Sequence, residues 1–545
     1  MESLADTVWD VVISGTGLQQ SLLALNDFYG GPDAALSLQE ANAWVEKVKQ
    51  GFAPTFRDAS VSSPKESSVD SDGSGPKLSF SRAYSLSLSP YSIYTRSRLL
   101  PVLVSSRVYR QLEFQAVGHW WILDAAKSNI QFGQVSSREQ ADAEKPAGSL
   151  KKVPNGREDI FADTSIDFKS KRCLMKFLKF VGSYEEQPEV WEQKAEMPFP
   201  EFLSTSFNIS TRLHAPLLAI AMCSEEPSKT TTALALSRIA RHLRSIGVFG
   251  PGFGAVLPKW GGGAEIAQVA CRACAVGGGV YVLGQAIESI DDAEMPSDSQ
   301  SSERLLEACL QGGERVRTRW VIGTESDLPD KSNANMKKTP LAEPLLLTSC
   351  LRSVSVVSSA LKSLFPITAE GAPPPAGAVV TIPTATFAEV SESKSEEAPP
   401  VYILVHSSET GECPPGQSVL YASMLAHGEA SHETLDRAVR TLLEAVEEEE
   451  PRQVLYTLNY TQSGSLPRAE SEDSSVFPQS PAAGQSDDSR ILVFPPPSLD
   501  LAFDDSIIGL VETAWRRIIF GPDSVPEDEF MVFEDRENFG TDDDD

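Results

Sequence analysis

The first residues whose spacing carries chemistry are Gly15-Thr16-Gly17, which follow the apolar run Val11-Val12-Ile13. A buried strand that turns on glycines into a helix normally aims backbone N–H groups at a pyrophosphate. Gln20 stands where that pattern takes its third glycine, so the following helix cannot pack as tightly on the strand. Asn26-Asp27 then arrives almost at once, where a βαβ unit needs a helix, a second strand and an acidic residue ~20 residues on. No helix plus strand fits between Ser21 and Leu25. The turn of Gly15, Gly17 and Gln20 is therefore degenerate: it points to nucleotide-binding ancestry with no cofactor and a truncated N-terminal βαβ unit. A parallel sheet built on it is expected to lack an inner strand and to leave neighbouring apolar faces exposed.

Cys271-Arg272-Ala273-Cys274 has the spacing of a redox pair or of half a zinc site. A structural zinc site needs a second ligand pair, and the sequence supplies none. Residues 265–276 read as a helix, so two small buried thiols on one face explain the pair better. The histidines at 119, 214, 242, 406, 427 and 432 form no metal-spaced cluster, and His427 and His432 read as solvated. No nucleophile elbow, Walker loop or kinase set is present, so no catalytic or metal residues are assigned. Gly252-Phe253-Gly254 and Gly261-Gly262-Gly263 read as loop glycines.

One segment stands above this background, Pro258-Lys259-Trp260 through Gly277-Gly278-Gly279-Val280-Tyr281-Val282-Leu283. On a helix starting near Ala264, Glu265, Gln268 and Arg272 fall at i, i+3 and i+7, one polar stripe on an otherwise apolar element. A solvated face and a binding surface both account for that stripe.

The elements that must position these residues are of two kinds. Residues 84–88, 378–382, 401–406 and 454–460 alternate as strands, whereas 174–181, 213–223 and 232–246 are spaced as helices, with Gly247 as a stop. Stretches 60–79, 136–158, 370–399 and 462–489 are rich in Ser, Asp, Gly and Pro and read as disordered insertions or linkers. This divides the chain into a larger α/β domain (1–167 and 248–461), a helical domain (168–247) inserted into it, a linker (462–489), and a C-terminal amphipathic helix with an acidic tail (490–545). At 545 residues and 41% hydrophobic the chain can bury several cores. Its formal charge of −29 argues against nucleic acid, or an anionic membrane, as the main partner. Seven scattered cysteines, no signal-peptide architecture and no run of ~18 apolar residues read as a reduced, cytoplasmic protein.

The 258–283 segment closely resembles the signature of the Rab GDP dissociation inhibitor and Rab escort protein superfamily. Asp10-Val11-Val12-Ile13-Ser14-Gly15-Thr16-Gly17-Leu18, Asn26-Asp27-Phe28-Tyr29-Gly30-Gly31, Tyr109-Arg110-Gln111-Leu112-Glu113-Phe114 and Ser407-Ser408-Glu409-Thr410-Gly411 match the same family. Tyr84-Ser85-Leu86-Ser87-Leu88, Leu218-Ala219-Ile220-Ala221-Met222 and the long insertions look more like the fungal escort branch than the inhibitor branch.

The resemblance implies a flavoprotein-like mixed α/β body that no longer binds flavin, with an inserted helical domain. It implies a platform for GDP-bound Rab GTPases on which Tyr29, Glu265, Gln268, Arg272, Val280 and Val282 lie; Val280 and Val282 depart from the Thr and Met common in inhibitors. It also implies that Rab is offered to the α/β heterodimer of Rab geranylgeranyltransferase, that the geranylgeranyl lipid is then sheltered, and that membranes are met transiently. Leu174, Phe177, Leu178 and Val181 are the candidates for the lipid groove, and simple core residues are the equal alternative. The competing expectations are a GDP dissociation inhibitor that recycles prenylated Rabs, and a flavin-dependent oxidoreductase of the same ancestral fold, against which Gln20 and the missing strand argue. Relative to the family, a dozen or so residues of the βαβ unit are missing between Leu25 and Asn26.

Overall fold

The computed structural model describes residues 4, 7–15, 23–24, 31–63, 76–124, 148–154, 160, 164, 166–293, 304–329, 337–343, 345–383, 398–428, 430–448, 452–467, 489–521 and 529–533. Two large sheets organise them. In the first, strand Arg315–Thr324 is central: it pairs antiparallel with Leu306–Leu310 and, further along, parallel with Ile491–Phe494. On its other side it pairs parallel with Val8–Ile13. Ile287–Asp292 and Lys338–Pro340 extend the sheet at its ends.

Among the described residues Val8–Ile13 pairs with Arg315–Thr324 alone. Val12 is buried, but Trp9, Val11 and Ile13 are only half-buried and Val8 is exposed. Parallel strands usually need cover on both faces. The helix Ser506–Ile519 supplies part of it: Leu510, Val511, Ala514 and Ile518 pack on Trp320, Ile322, Leu492 and Phe494, beside Val11 and Ile13. Gln20, Gly17 and Tyr29 lie outside the described residues; Gly15 is described and has a left-handed φ of 110°.

The second sheet runs Phe56–Ser62, Val454–Ser465, Leu347–Val357, Ser418–Leu425, Val401–Ser407, Gly377–Ile382, Phe114–Asp124, Ala255–Pro258, Ile93–Tyr94. Its inner strands are buried on both faces, which explains their continuous apolar sequence. Val401, Ile403 and Val405 meet Leu435, Val439 and Leu442 of helix His432–Ala445. The alternate residues Tyr402 and Leu404 face Leu217 and Ile220 of helix His214–Ala221. The Tyr402 hydroxyl closes that contact on the carbonyl oxygens of Leu218 (3.2 Å) and Cys223 (3.1 Å).

Several described residues fall inside stretches read as disordered. Ser149–Lys152 forms a strand on Phe114–Asp124, Phe56–Ser62 reaches into 60–79, and Val454–Ser465 into 462–489. Composition hid them because a strand's partners lie far away in sequence. Conversely, of 84–88 only Leu86–Ser87 is strand, paired with Ala35–Leu36.

The helical region packs Phe168–Val181, Phe199–Phe207, His214–Ala221 and Thr232–Ser245 around an aromatic centre. Phe177 stacks edge-on against Phe207 at 5.3 Å, and Phe180 lies 5.0 Å from the same ring. Arg238 fastens this region to the chain's later part. It is buried, pairs with Asp500 at 2.7 Å, and donates to the Met222 carbonyl at 2.8 Å.

Candidate functional site

The polar stripe sits on helix Gly263–Val276. Ile266 and Val269 point into a core with Leu99, Leu103 and Val108, while Gln268 and Arg272 are exposed and Glu265 is half-buried. Burial raises the Glu265 carboxyl above its usual range. The helix is rich in Ala, Cys and Gly, so the few long side chains stand clear of their surroundings. It ends in Gly277-Gly278-Gly279, where the Gly279 N–H donates to the Cys274 carbonyl at 2.9 Å. A Cβ at Gly279 would come within 2.4 Å of the Cys274 sulfur, so a side chain there would force that thiol to shift.

On either side of the turn, Val276 and Val280 are exposed at 70% and 44%. Val282 is half-buried against the cluster of Val12 and Ile287, in a short strand parallel to Leu23–Ala24. The structure thus brings Glu265, Gln268 and Arg272 to one helix face, leaves Val280 exposed after the turn, and turns Val282 partly inward.

The segments singled out in the sequence converge just before the helix. The Trp260 N–H donates to the Thr410 carbonyl at 2.8 Å, and the Ser85 hydroxyl donates to the Trp260 carbonyl at 2.5 Å. Lys259 pairs with Glu113 at 3.2 Å and lies 4.9 Å from the Trp260 ring centroid, a cation–π contact. A Cβ at Gly411 would sit 2.5 Å from the indole, and the left-handed φ of 77° there also favours glycine. Beneath, Glu412 is buried and accepts from the Tyr421 hydroxyl at 2.9 Å and contacts His406 at 2.8 Å.

Sequence reasoning passed over Trp260 and Tyr109 as site residues. Both rings are exposed, at 42% and 43%, at the start and flank of the stripe helix. Trp260 holds a left-handed φ of 64°, strained for a bulky residue. The only signal was an aromatic residue placed beside a glycine run.

The lipid-groove candidates lie elsewhere. Leu174, Phe177 and Val181 are buried in the helical core and Leu178 packs against it. Cys271 is buried, Cys274 half-buried, and burial raises the Cys271 thiol. No group of three or more metal-ligating side chains occurs among the described residues. His427 pairs with Glu226 at 3.0 Å, where solvent was expected. No described helix is long and apolar enough to cross a membrane.

Residues 4–334, more than half of the chain, match the family model described as GDP dissociation inhibitor. The chain is 27% identical over 448 residues to the Rab proteins geranylgeranyltransferase component A of Saccharomyces cerevisiae, covering 79% of this chain and 64% of that one. With the protein of the same name from Candida albicans it shares 26% identity over 429 residues, 76% of this chain and 59% of that one. The chain therefore spans less than two thirds of either relative. Among solved structures, the Rab GDI of Plasmodium falciparum superposes with a TM-score of 0.55 at 16% identity, over 94% of this chain and 98% of that one. The two share a fold, the mixed α/β body expected from the sequence.

Proposed function

The chain belongs to the GDP dissociation inhibitor family, and from that premise we propose that it is a Rab escort protein, a non-catalytic accessory component of protein geranylgeranylation. In this reading it holds newly made, GDP-bound Rab GTPases, presents them to the α/β heterodimer of Rab geranylgeranyltransferase, and accompanies the lipidated product through the cytoplasm to a membrane. The observation that carries the reading is similarity over most of the chain to two fungal proteins named for component A of that transferase.

Glu265, Gln268 and Arg272 would form the polar centre of the Rab contact, with Val280 and Val282 at one end and Tyr29, outside the described residues, completing it. A guanidinium beside a carboxyl and an amide suits a partner surface of mixed charge. Lipid demands a different place: each CH₂ withdrawn from water contributes ~0.8 kcal/mol, so carriage in solution needs an apolar cleft. We assign that cleft to the helical region, with Leu174, Phe177, Leu178 and Val181 as its contacts. Since these residues are already packed, lipid uptake would part helix Phe168–Val181 from Phe199–Phe207.

The test mixes the purified chain with GDP-loaded, unlipidated Rab, the transferase and geranylgeranyl diphosphate. A stable complex with Rab, and lipid transfer that depends on the chain, is the expected result. Binding to lipidated Rab alone would make the protein a recycling inhibitor, and binding to neither form would overturn both readings.

A further inference from the structure

We propose that the outer face of helix Phe168–Val181 docks on a membrane containing anionic phospholipids. Lys169, Arg172, Lys176 and Lys179 are all exposed and fall at i, i+3, i+7 and i+10. Together with Phe168, which is 90% exposed, they occupy an arc of about 100° on the helix. The opposite face, Leu174, Phe177 and Val181, is the packed one. The helix also carries Lys171 and has no acidic residue, in a chain whose net charge is −29.

Helix stability does not explain this pattern. Cations in the first turn, here Lys169, oppose the helix dipole, which favours acids there. No carboxylate stands at i+4 to pair with them. Among the described residues, none of the four stripe cations forms an ion pair; Lys176 lies 5.8 Å from the Phe207 ring and still faces solvent. An unpaired basic stripe with an exposed aromatic residue at its end is the composition of an interfacial helix: cations attract headgroups and the aromatic ring enters the acyl boundary. Charge complementarity selects the occupant: four unpaired cations on one helix face, with no acid on the helix, suit a layer of anionic headgroups.

The inference rests on the escort reading for its purpose, since the stripe lies on the helix whose inner face is assigned to the lipid. Its test needs no GTPase, so the two can fail separately. The full chain is floated with vesicles of phosphatidylcholine alone and of phosphatidylcholine with phosphatidylserine. Binding is expected only to the second kind, to weaken with salt, and to fall about fivefold for each cation removed along K169Q, R172Q, K176Q and K179Q. Phe168→Ser should weaken what binding persists at high salt. If the fourfold variant is misfolded, K169Q with R172Q decides, since losing cations near the helix start does not cost helix stability. Equal binding to both vesicle types, no binding to the anionic ones, or unchanged binding by a folded variant overturns the proposal. Rab binding in solution would be unaffected by any of these outcomes.

Discussion

Helices Phe168–Val181 and Gly263–Val276 are both fourteen residues long and both carry a stripe at helical spacing, yet they divide labour between their faces differently. The first has large apolar residues inside and long cations outside, and its lipid-contact candidates sit on the inner face. The second packs Ile266 and Val269 inside among small residues, and its candidates Gln268 and Arg272 are on the outer face with Glu265 at the boundary. The lesson is that substituting a candidate on the first helix disturbs the fold before it can report on function, whereas the second allows function to be read at nearly constant stability.

The contrast is broken most directly at Phe177. This ring is fully buried among Phe199 and Phe207. Phe177→Ala should cost about 3–5 kcal/mol, as core aromatic deletions do, read as a lowered urea midpoint at unchanged slope. A cost below about 1 kcal/mol would mean that the helical centre is loosely filled and already open to lipid.

Asp500→Ala should be nearly as severe. It strips the buried Arg238 guanidinium of its carboxylate, and breaking a buried pair from one side costs about 3–5 kcal/mol. Arg238→Met with Asp500→Leu should recover much of that loss, because the charge is removed with its partner. Failure of the double variant to recover would show that the Met222 and Ala221 carbonyls, left without a donor, carry the cost instead.

How far these features could be read from sequence follows from their range. The helices were visible because 3.6-residue periodicity is local; 213–223 and 232–246 fall within a few residues of His214–Ala221 and Thr232–Ser245. The exposed stripe was visible for the same reason. Arg238 and Asp500 were not, since an ion pair across 262 positions leaves no pattern. Trp260 escaped because its conformation is imposed by Ser85 and by Thr410 and Gly411, two segments distant in sequence. That Val8–Ile13 leans, half-exposed, on Arg315–Thr324 was not legible, because the partner strand lies some three hundred residues away.

His242 offers a pH test of the same packed region. It is enclosed by Trp120, at 4.6 Å between rings, and Tyr94, and burial pushes its pKa down to about 3. The folded state therefore keeps it neutral, while the unfolded chain takes up a proton below pH ~6.5. The stability this withholds from the unfolded state is intact above that pH and is lost as pH falls toward 3. By pH 5 the loss from this residue is about 2 kcal/mol. His242→Leu should remove that part of the acid sensitivity, so the two urea midpoints measured at pH 7 and pH 5 should lie closer together than in the native protein. If the midpoints move equally in both, water reaches the imidazole and the region is not as dry as its packing shows.

On the other helix the smallest stability effect should accompany the clearest functional one. Arg272 is exposed and makes no ion pair among the described residues, so Arg272→Ala should change stability by no more than about 0.5 kcal/mol. If the stripe is the Rab contact, the same substitution should weaken binding of GDP-loaded Rab by about tenfold or more, as loss of an interface arginine does. Glu265→Gln sharpens the point. Its carboxyl is already raised by burial, so neutralising it costs the fold little and any loss of affinity belongs to the partner. Should Arg272→Ala bind Rab as tightly as the native chain, the stripe is a solvated face, and the difference between the two helices is one of packing alone.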